Sequence, residues 1–386
     1  MKLAFVTPRF GADVVGGSEA VMREMALGLV RRGHEVEVLT TTAVDHSTWA
    51  SVLPPGASDE GGLLVRRFET VPNPTHVGGN MLIKVHQGEA ATVDEQISWL
   101  SFPFRAPDLF MHLVAHGSDY RHVVFAPYLF WPTTVCMAVV ADRAVVVPCL
   151  HDEPWARLEV IRPVLRDPAA VWFLSEPEHE LAHRLGPVAT RHRILGAGIE
   201  VPAGYDPEGF RHRHGLSRPF ILYAGRREAG KGWDWLLSTF MSALEVDDAG
   251  LDLVTVGDGK VEVPAELDGR VVDLGFLPAA ERDNAFAAAS ACVQPSLMES
   301  FSRTIMESWL AGTPVLARVA SEVVVWHCER SGGGRTFGDG KALAGLLRWL
   351  AERPEEATRA AAAGRRYVLE NYTWDVVLDR VEEELA

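Results

Sequence analysis

PSLMESFSRTIMESWLAGTPVLA, the sequence of residues 295–317, joins two carboxylates to a loop and a helix. The four residues before this stretch form an apolar run that predicts a short strand. Ser302 is a residue type that caps helix N-termini, and apolar residues at helical spacing follow it. A glycine and a proline then end the helix. Glu299 is therefore expected in the loop after the strand, and Glu307 one to two turns into the helix.

The start of this predicted helix is also a suitable place for an anion. Backbone N–H groups of a first helical turn point outward and carry the positive end of the helix dipole. Glu299 and Glu307 flank this position in the sequence. Two carboxylates on either side of an anion site suit a ligand with a phosphate in the middle and hydroxyls at both ends, as in a nucleotide sugar.

Two cations occupy the equivalent place after another predicted strand, 220–224. Arg226 and Lys231 follow this strand and precede a helix predicted to begin near Trp233. Cations are unfavourable at a helix N-terminus, where the dipole is already positive. The pair therefore indicates a bound anion, and a pair of solvated surface cations is the alternative.

A glycine loop lies between the first predicted strand and the first predicted helix. Gly16 and Gly17 lack a Cβ, so the backbone there can approach a phosphate closely. The alternative is a tight turn in which Ser18 caps the helix, and both interpretations can hold together. The loop matches neither the Gly-x-Gly-x-x-Gly dinucleotide fingerprint nor a Walker loop.

His151 is predicted to end the strand 144–150 and opens the sequence His-Asp-Glu-Pro. Sites in parallel sheets form at the carboxyl ends of strands, which favours a functional role. The alternative is a structural histidine followed by Asp152 as a helix cap. No role is assigned to Asp152 or Glu153.

With these motifs in this order, the chain resembles the retaining, nucleotide-sugar-dependent glycosyltransferases of family 4. That family carries a Glu-x7-Glu motif, usually followed by a run that ends in Gly-x-Pro-Val. The resemblance extends over nearly the whole chain, through residues 8–40, 151–154, 224–232 and 299–315. It implies an α/β chain with the GT-B fold, in which two Rossmann-like, doubly wound parallel-sheet domains face a central cleft.

The resemblance also implies roles for individual residues in donor binding. Glu307 is expected on the ribose hydroxyls and Glu299 on hydroxyls of the donor sugar. Arg226 and Lys231 are expected to neutralise the leaving nucleoside diphosphate in place of a metal ion. The other implied positions are backbone N–H groups of Phe301, Ser302 and Arg303 at the sugar and diphosphate, Gly16 and Gly17 at the diphosphate, His151 near the anomeric carbon, and Phe276 and Leu277 at the nucleobase.

One departure from the family pattern concerns the loop after the first glutamate. The family often has Gly-Phe-Gly there, whereas this chain has Ser300-Phe301-Ser302. Side chains replace two glycines, which puts close backbone approach in doubt and indicates a different sugar pocket.

The length of 386 residues predicts two domains. The N-terminal domain, on the acceptor side, is expected over 1–200 with a crossing helix at about 372–386, and the donor domain over 205–371. The Gly- and Pro-rich segment 196–204 is the expected boundary, and the pattern is least informative over 72–105. The predicted strands are 2–7, 35–40, 63–68, 122–126, 144–150 and 170–174, then 220–224, 251–256, 271–274, 291–294 and 314–317.

Composition excludes several partners. The net charge of −15 argues against nucleic acid, and no apolar run is long enough to span a bilayer. Basic segments at 191–193 and 211–214 leave peripheral membrane contact open. The four scattered cysteines and the strand-like start predict a cytoplasmic protein with reduced thiols, with the inner membrane face as an alternative location.

The expected activity is transfer of a hexosyl group from a nucleoside-diphosphate sugar to an acceptor hydroxyl, with retention and without a metal or other cofactor. A UDP-sugar is the favoured donor, with GDP-mannose next, and the acceptor is undetermined. Two alternatives stay open: a phosphorylase or epimerase of GT-B fold, and a non-catalytic nucleotide-sugar binding protein.

Overall fold

The computed structural model describes residues 1–12, 14, 16–73 and 76–386, apart from the side chains of 76–79 and 229. The chain forms two compact units. The first comprises Met1–Gly198 and Val377–Ala386, and the second comprises Ile199–Val376. The boundary between Gly198 of the first unit and Ile199 of the second therefore falls inside the Gly- and Pro-rich segment 196–204.

The first unit contains an eight-stranded sheet in the order β10-β9-β8-β7-β1-β2-β4-β3, which is parallel except for the β3–β4 pair. Its elements are β1 Lys2–Val6, α1 Gly17–Arg31, β2 Glu35–Thr41, β3 Gly56–Glu60, β4 Leu63–Phe68, β5 Val71–Pro72, α2 His76–His86, α3 Val93–Leu100, β6 Phe104–Arg105, α4 Pro107–His116, β7 His122–Phe125, α5 Trp131–Thr134, β8 Ala144–Val146, α6 Arg162–Arg166, β9 Ala170–Phe173, α7 Glu176–Leu185 and β10 His192–Ile194, with 3₁₀ turns at Gly117–Asp119, Met137–Arg143 and Pro154–Arg157.

The second unit contains a six-stranded parallel sheet in the order β13-β12-β11-β14-β15-β16. Its elements are α8 Pro207–Arg213, β11 Phe220–Ala224, α9 Trp233–Val246, β12 Asp252–Val256, β13 Val271–Asp273, α10 Ala279–Ala288, β14 Ala291–Gln294, α11 Arg303–Leu310, β15 Val315–Arg318, α12 Glu322–Ser331, β16 Gly334–Phe337, α13 Gly340–Glu352, α14 Pro354–Asn371 and α15 Trp374–Leu385, with 3₁₀ turns at Ala229–Lys231 and Ala265–Leu267. Helix α15 begins in this unit and ends in the first one.

The central strands are buried because helices cover both faces of each sheet. All five residues of β11, Phe-Ile-Leu-Tyr-Ala, are buried, as expected for a strand in a parallel sheet. In the first unit, α1 packs closely on α15. The Leu378 side chain fills the space beside Gly28, and a Cβ on Gly28 would collide with it. None of the described helices has both the length and the apolar character needed to cross a membrane.

Each sheet has one place where the strand order reverses. In the first unit this switch point lies between β1 and β7, and in the second it lies between β11 and β14. Ligands of open α/β sheets bind in the crevice outside the carboxyl ends of the strands at such a point. A ligand site is therefore expected at the loops that follow β1, β11 and β14.

The structure differs from the sequence expectation in two strands of the first sheet and in the region 72–105. Strand β8 ends at Val146, four residues before the expected end, and β3 is an additional antiparallel edge strand of mostly exposed residues. The weakly patterned region 72–105 contains α2, α3 and a small antiparallel pair of β5 with β6. Short or exposed elements do not produce the continuous apolar runs that mark buried strands.

Candidate functional site

Lys231 and Glu299 lie together at the switch point of the second unit. The Lys231 Nζ is 2.8 Å from Glu299 Oε1 and 3.3 Å from the carbonyl oxygen of Met298. Lys231 belongs to the loop after β11, and Glu299 belongs to the loop after β14. The structure thus brings together two predicted site residues that are 68 positions apart in the sequence.

Gly232 allows these two loops to approach each other. Its φ of 75° lies in the left-handed region, and a Cβ there would be 2.6 Å from the carbonyl oxygen of Pro295. Any other residue would be strained and would also push the Pro295 loop away. The contact between Lys231 and Glu299 therefore depends on a glycine next to the lysine.

Ser302 occupies the N-cap position of α11, but it does not cap the helix as the sequence predicts. Its backbone is left-handed, with φ 68° and ψ 73°, and its side chain makes no cap hydrogen bond. The hydroxyl instead accepts a hydrogen bond from Gln294 Nε2 at 3.2 Å. Ser302 therefore adopts a left-handed backbone conformation that glycine favours. The hydrogen bond from Gln294, the last residue of β14, holds its side chain.

Phe301 points into the core, so only its backbone can face a ligand. The side chain is 3% exposed and meets His327 and Tyr372 edge-on, with ring centroids 5.3 and 5.0 Å away. Burial lowers the pKa of His327 to about 3, and its Nδ1 lies 3.0 Å from the Tyr367 hydroxyl. This aromatic cluster supports the loop that carries Glu299.

Glu307 lies on α11 beside the predicted helix stripe and is mostly buried. Its carboxylate accepts a hydrogen bond from Arg282 Nη2 of α10 at 3.2 Å. Burial raises the pKa of the neighbouring Asp283 carboxyl, and the negative charge of Glu307 raises it further. Arg282 was not predicted from the sequence, because its partner is 25 positions away on another helix.

Arg226 does not join the contact between Lys231 and Glu299. Its guanidinium is exposed and lies 2.9 Å from Glu228 Oε1. The structure therefore places this predicted cation on the same loop as Lys231, in an ion pair with a local carboxylate.

Arg227, which sequence reasoning missed, holds three loops together. Its side chain is almost fully buried and bonds the carbonyl oxygen of Gly257 and the carboxylate of Asp273. Its backbone N–H donates to the carbonyl oxygen of Asp258 at 2.9 Å. The loops after β11, β12 and β13 are thereby fixed relative to one another.

The loop after β13, predicted to hold the nucleobase, is part of this arrangement. The Gly275 carbonyl oxygen accepts a hydrogen bond from Gly257 N–H at 2.8 Å. Phe276 is 58% exposed, and Leu277 is partly buried. An exposed aromatic ring at this position is available for stacking with a planar group.

The glycine loop of the first unit differs in detail from the prediction. Helix α1 begins at Gly17, and Ser18 donates its hydroxyl hydrogen bond to Glu19 Oε2 at 2.7 Å instead of capping the helix. A Cβ on Gly16 would collide with the Glu19 carboxylate, which pairs with the buried Arg9. A Cβ on Gly17 would meet no described atom within 4 Å. Two positions of this loop, 13 and 15, lie outside the described residues.

His151 lies in a loop five positions beyond β8, so the prediction that it ends the strand is wrong. The loop is anchored just before it, where Leu150 N–H donates to Glu178 Oε1 at 2.6 Å. Glu178 also accepts from Leu174 N–H at 2.5 Å, and its burial raises its pKa to about 8. Asp152 pairs with Arg157 at 2.6 Å and caps no helix.

The basic segments at 191–193 and 211–214 are partly neutralised within the chain. Arg193 pairs with Glu383 and Glu384, and Arg213 pairs with Asp206 and Glu281. These ion pairs reduce the positive charge that either segment offers to an anionic lipid surface.

Comparison with known proteins agrees with this architecture. Residues 218–352 match the family described as Glycosyl transferases group 1. Sucrose-phosphate synthase from Thermosynechococcus elongatus has a TM-score of 0.73 and 17% identity over 99% of this chain and 97% of its own. The Anabaena protein HepE, in complex with UDP and glucose, has a TM-score of 0.71 and 18% identity over 100% and 99%.

Proteins similar to this chain in sequence are also named as glycosyltransferases. An uncharacterized glycosyltransferase of Methanocaldococcus jannaschii is 23% identical over 336 residues, which are 82% of this chain and 80% of the relative. The chain has the GT-B fold. The 2-deoxystreptamine glucosyltransferase of Streptomyces kanamyceticus is 34% identical to this chain over 181 residues, 41% of this chain and 44% of the relative.

The matched segment 218–352 contains most of the predicted donor residues. Within it, Lys231 contacts Glu299, Glu307 contacts Arg282, and Arg226 stays on its own loop. Gly16, Gly17 and His151, the other predicted residues, belong to the first unit.

Proposed function

We propose that the protein is a family 4-type retaining glycosyltransferase that moves a hexosyl group from a nucleoside-diphosphate sugar to an acceptor hydroxyl without a metal ion. The observation that carries this proposal is the contact between Lys231 and Glu299 at the switch point of the second unit. A cation for a diphosphate and a carboxylate for sugar hydroxyls stand there side by side, beside the N-terminal end of α11.

Donor binding uses groups that the structure already orients. Glu307, held by Arg282, accepts hydrogen bonds from the ribose hydroxyls. Lys231 exchanges part of its contact with Glu299 for the diphosphate, and Glu299 accepts hydroxyl hydrogens of the sugar. Arg226 leaves Glu228 for the same diphosphate, since an exposed ion pair contributes little to stability.

The chemical step breaks the bond between the anomeric carbon and the diphosphate oxygen. The bonding electrons stay on the diphosphate, the acceptor oxygen forms the new bond, and its proton passes to an oxygen of the leaving diphosphate. Negative charge therefore grows on the leaving group. In this proposal Lys231, Arg226 and the dipole of α11 stabilise this charge, which is the work a divalent metal does in other transferases.

A UDP-sugar is the first donor to test, and GDP-mannose is the second. UDP and glucose are bound in HepE, a protein of the same fold. Mannosyltransferases occur among the relatives, including the phosphatidyl-myo-inositol mannosyltransferase of Mycobacterium leprae, 30% identical over 47% of this chain and 52% of the relative. A non-catalytic nucleotide-sugar binding protein is the competing proposal, because the same contacts bind a donor without turnover.

The deciding experiment measures nucleoside diphosphate release from UDP-, GDP- and ADP-sugars, with water as the default acceptor. We expect turnover with one donor class and a fall in kcat of about 10²-fold or more in Lys231→Ala, the scale for losing one preorganised charge-stabilising group. Lys260→Ala is the matched control, because its side chain is 81% exposed and pairs only with Glu262 among the contacts described here. Tight donor binding without release would favour the binding protein.

The same assay tests metal independence. Because Lys231 and Arg226 supply the positive charge, activity is expected to be unchanged by EDTA. Complete loss with EDTA, followed by rescue with Mn²⁺ or Mg²⁺, would contradict the proposed charge compensation.

A further inference from the structure

Three histidines of the first unit converge at the edge of its sheet. His179 and His183 are one turn apart on α7, and His192 is the first residue of the edge strand β10. One ring nitrogen of each lies within 4.8 Å of those of the other two. The Nε2 atoms of His179 and His183 are 3.1 Å apart.

Neighbouring groups orient two of these rings toward the cluster. His192 Nδ1 donates to the carbonyl oxygen of Ala189 at 2.8 Å, which leaves the lone pair on its Nε2. His179 Nδ1 lies 3.7 Å from Glu176 Oε1, too far for a hydrogen bond, while its Nε2 faces His183. Phe173 packs edge-on against both His179 and His192. The Ala189 carbonyl oxygen behind His192 is the usual kind of support for a ligating histidine.

We propose that His179, His183 and His192 form a binding site for a divalent transition-metal ion of the Zn²⁺ type. Three imidazole nitrogens suit Zn²⁺, and a tetrahedral ion leaves a fourth position for water. Two nitrogens at about 2.0–2.1 Å from such an ion lie roughly 3.3 Å apart, close to the spacing of His179 and His183. A small movement of His192 completes the set.

The charges around the cluster suit a cation. The carboxylates of Glu176 and Glu180 lie on α7 near His179 and add negative potential there.

A metal ion here joins α7 to the edge strand β10 across the connection of residues 186–191. The covalent link between these two elements is a loop of six residues. Binding to the folded protein alone raises its stability by mass action. The proposed transfer chemistry assigns no role to these three histidines, so the metal ion is expected to act on the stability of the first unit.

The test uses the full chain with any affinity tag removed and ZnCl₂, NiCl₂ or CoCl₂ as the probe. Equilibrium dialysis with elemental analysis gives the stoichiometry, calorimetry gives the Kd, and thermal unfolding gives the change in Tm. We expect one Zn²⁺ per chain with a Kd in the micromolar range or below. A Zn²⁺ concentration about 100 times the Kd is expected to raise the Tm by a few degrees.

The variants separate a metal site from a chance grouping. His183→Ala and His192→Ala change exposed residues and are each expected to weaken binding by about 10-fold or more. Glu176→Gln is expected to weaken it less, because it removes only the negative charge near His179. His116→Ala is the matched control, since His112 and His116 form another one-turn pair on α4, with ring centroids 4.8 Å apart, and lack a third histidine in the cluster described here.

Two outcomes overturn the proposal: no Zn²⁺ binding below about 100 µM, or binding that is unchanged in His183→Ala and His192→Ala. Neither outcome bears on the transferase proposal, because donor turnover is measured separately in EDTA. Loss of turnover in EDTA without loss in His183→Ala contradicts metal independence and leaves the histidine site standing.

Discussion

At the scale of single residues, Glu299 and Glu307 are eight positions apart but have different partners. Glu299 contacts Lys231 in a loop, and Glu307 contacts Arg282 between two helices. A carboxylate on the ribose stays far from the reacting bond, so its hydrogen bonds are equally strong before and during the reaction. The hydrogen bonds of a carboxylate on the sugar ring become stronger during the reaction, because the ring acquires positive charge.

Glu307→Ala is therefore expected chiefly to raise the KM for the donor and to weaken inhibition by the free nucleoside diphosphate. Each lost hydrogen bond to a charged acceptor is worth roughly 1.5 to 3 kcal/mol, or about one to two powers of ten in affinity. Glu299→Ala is expected chiefly to lower kcat, with nucleotide inhibition nearly unchanged. Steady-state kinetics and product inhibition measure both effects.

The control for this pair is Glu352→Ala, which removes an exposed carboxylate from the last position of α13. It is expected to leave kcat and KM unchanged. Equal nucleoside diphosphate inhibition of wild type and Glu307→Ala would show that the ribose assignment is wrong and that Glu307 is an ordinary carboxylate on a helix face.

The residues of the site differ in how far the sequence reveals them. Lys231 and Glu299 are recognisable because each stands in a loop between a predicted strand and a predicted helix. Arg227, Arg282 and Glu178 carry no such local signal, since each acts on a partner 25 or more positions away. Their roles follow from tertiary packing, which no spacing in the sequence encodes.

At the scale of secondary-structure elements, Gly232 sets the approach of the loop after β11 to the loop after β14. Gly232→Ala introduces a strained left-handed alanine and a clash with Pro295. Gly215→Ala is the matched control, because φ there is 65° and a Cβ would meet no described atom within 4 Å. Backbone strain alone costs about 1 to 2 kcal/mol, and the clash adds to it only in Gly232→Ala.

We therefore expect a clearly larger fall in Tm for Gly232→Ala than for Gly215→Ala. A lower kcat is also expected in Gly232→Ala alone, because Lys231 moves with its neighbour. Thermal unfolding and the donor assay measure the two effects. Equal Tm values for the two variants would show that the close approach to Pro295 does not constrain the loop.

Glu178 links the loop before His151 to the start of α7, and its titration affects stability. Its folded pKa of about 8 lies above the ordinary value of 4.5. The folded state therefore holds a proton that the unfolded state has released, and this contribution is full below pH 4.5 and is lost as the pH rises through about 8.

Glu178→Gln removes this titration but keeps the size of the side chain. The stability advantage of wild type over the variant is expected to shrink by a few kcal/mol between pH 5 and pH 8, since one pKa unit corresponds to about 1.4 kcal/mol. Thermal unfolding of both proteins at constant ionic strength measures this advantage. The contributions of other titrating groups cancel when the stability of the variant is subtracted from that of the wild type. An advantage that does not change with pH would contradict the pKa assignment.

The elements themselves were predictable to different degrees. Strands β11 and β14 coincide with the predicted 220–224 and 291–294, because they are short apolar runs bounded by turn residues. Strand β3, with the sequence Gly-Ala-Ser-Asp-Glu, has no apolar pattern and forms only because β4 offers it a free edge. The two helices within 72–105 pack with weak periodicity, so their existence depends on tertiary contacts.

At the scale of the whole molecule, the proposed family assignment makes a stereochemical prediction. An α-linked donor is expected to give an α-linked product, because family 4-type transfer retains the configuration at the anomeric carbon. NMR of the product, through the coupling constant of the anomeric proton, measures the outcome. A β-linked product would overturn the assignment to a retaining family and leave the fold unaffected.

The first unit is discontinuous in sequence, because residues after the second unit complete it. Arg32 of the first unit pairs with Asp379 and Glu382, and Gly28 receives Leu378. On the ribosome, all of Ile199–Val376 is translated before these partners emerge, which takes roughly 10 to 40 s at 5–20 residues per second. During that interval the nascent first unit lacks the part of α15 that covers Gly28 and pairs with Arg32.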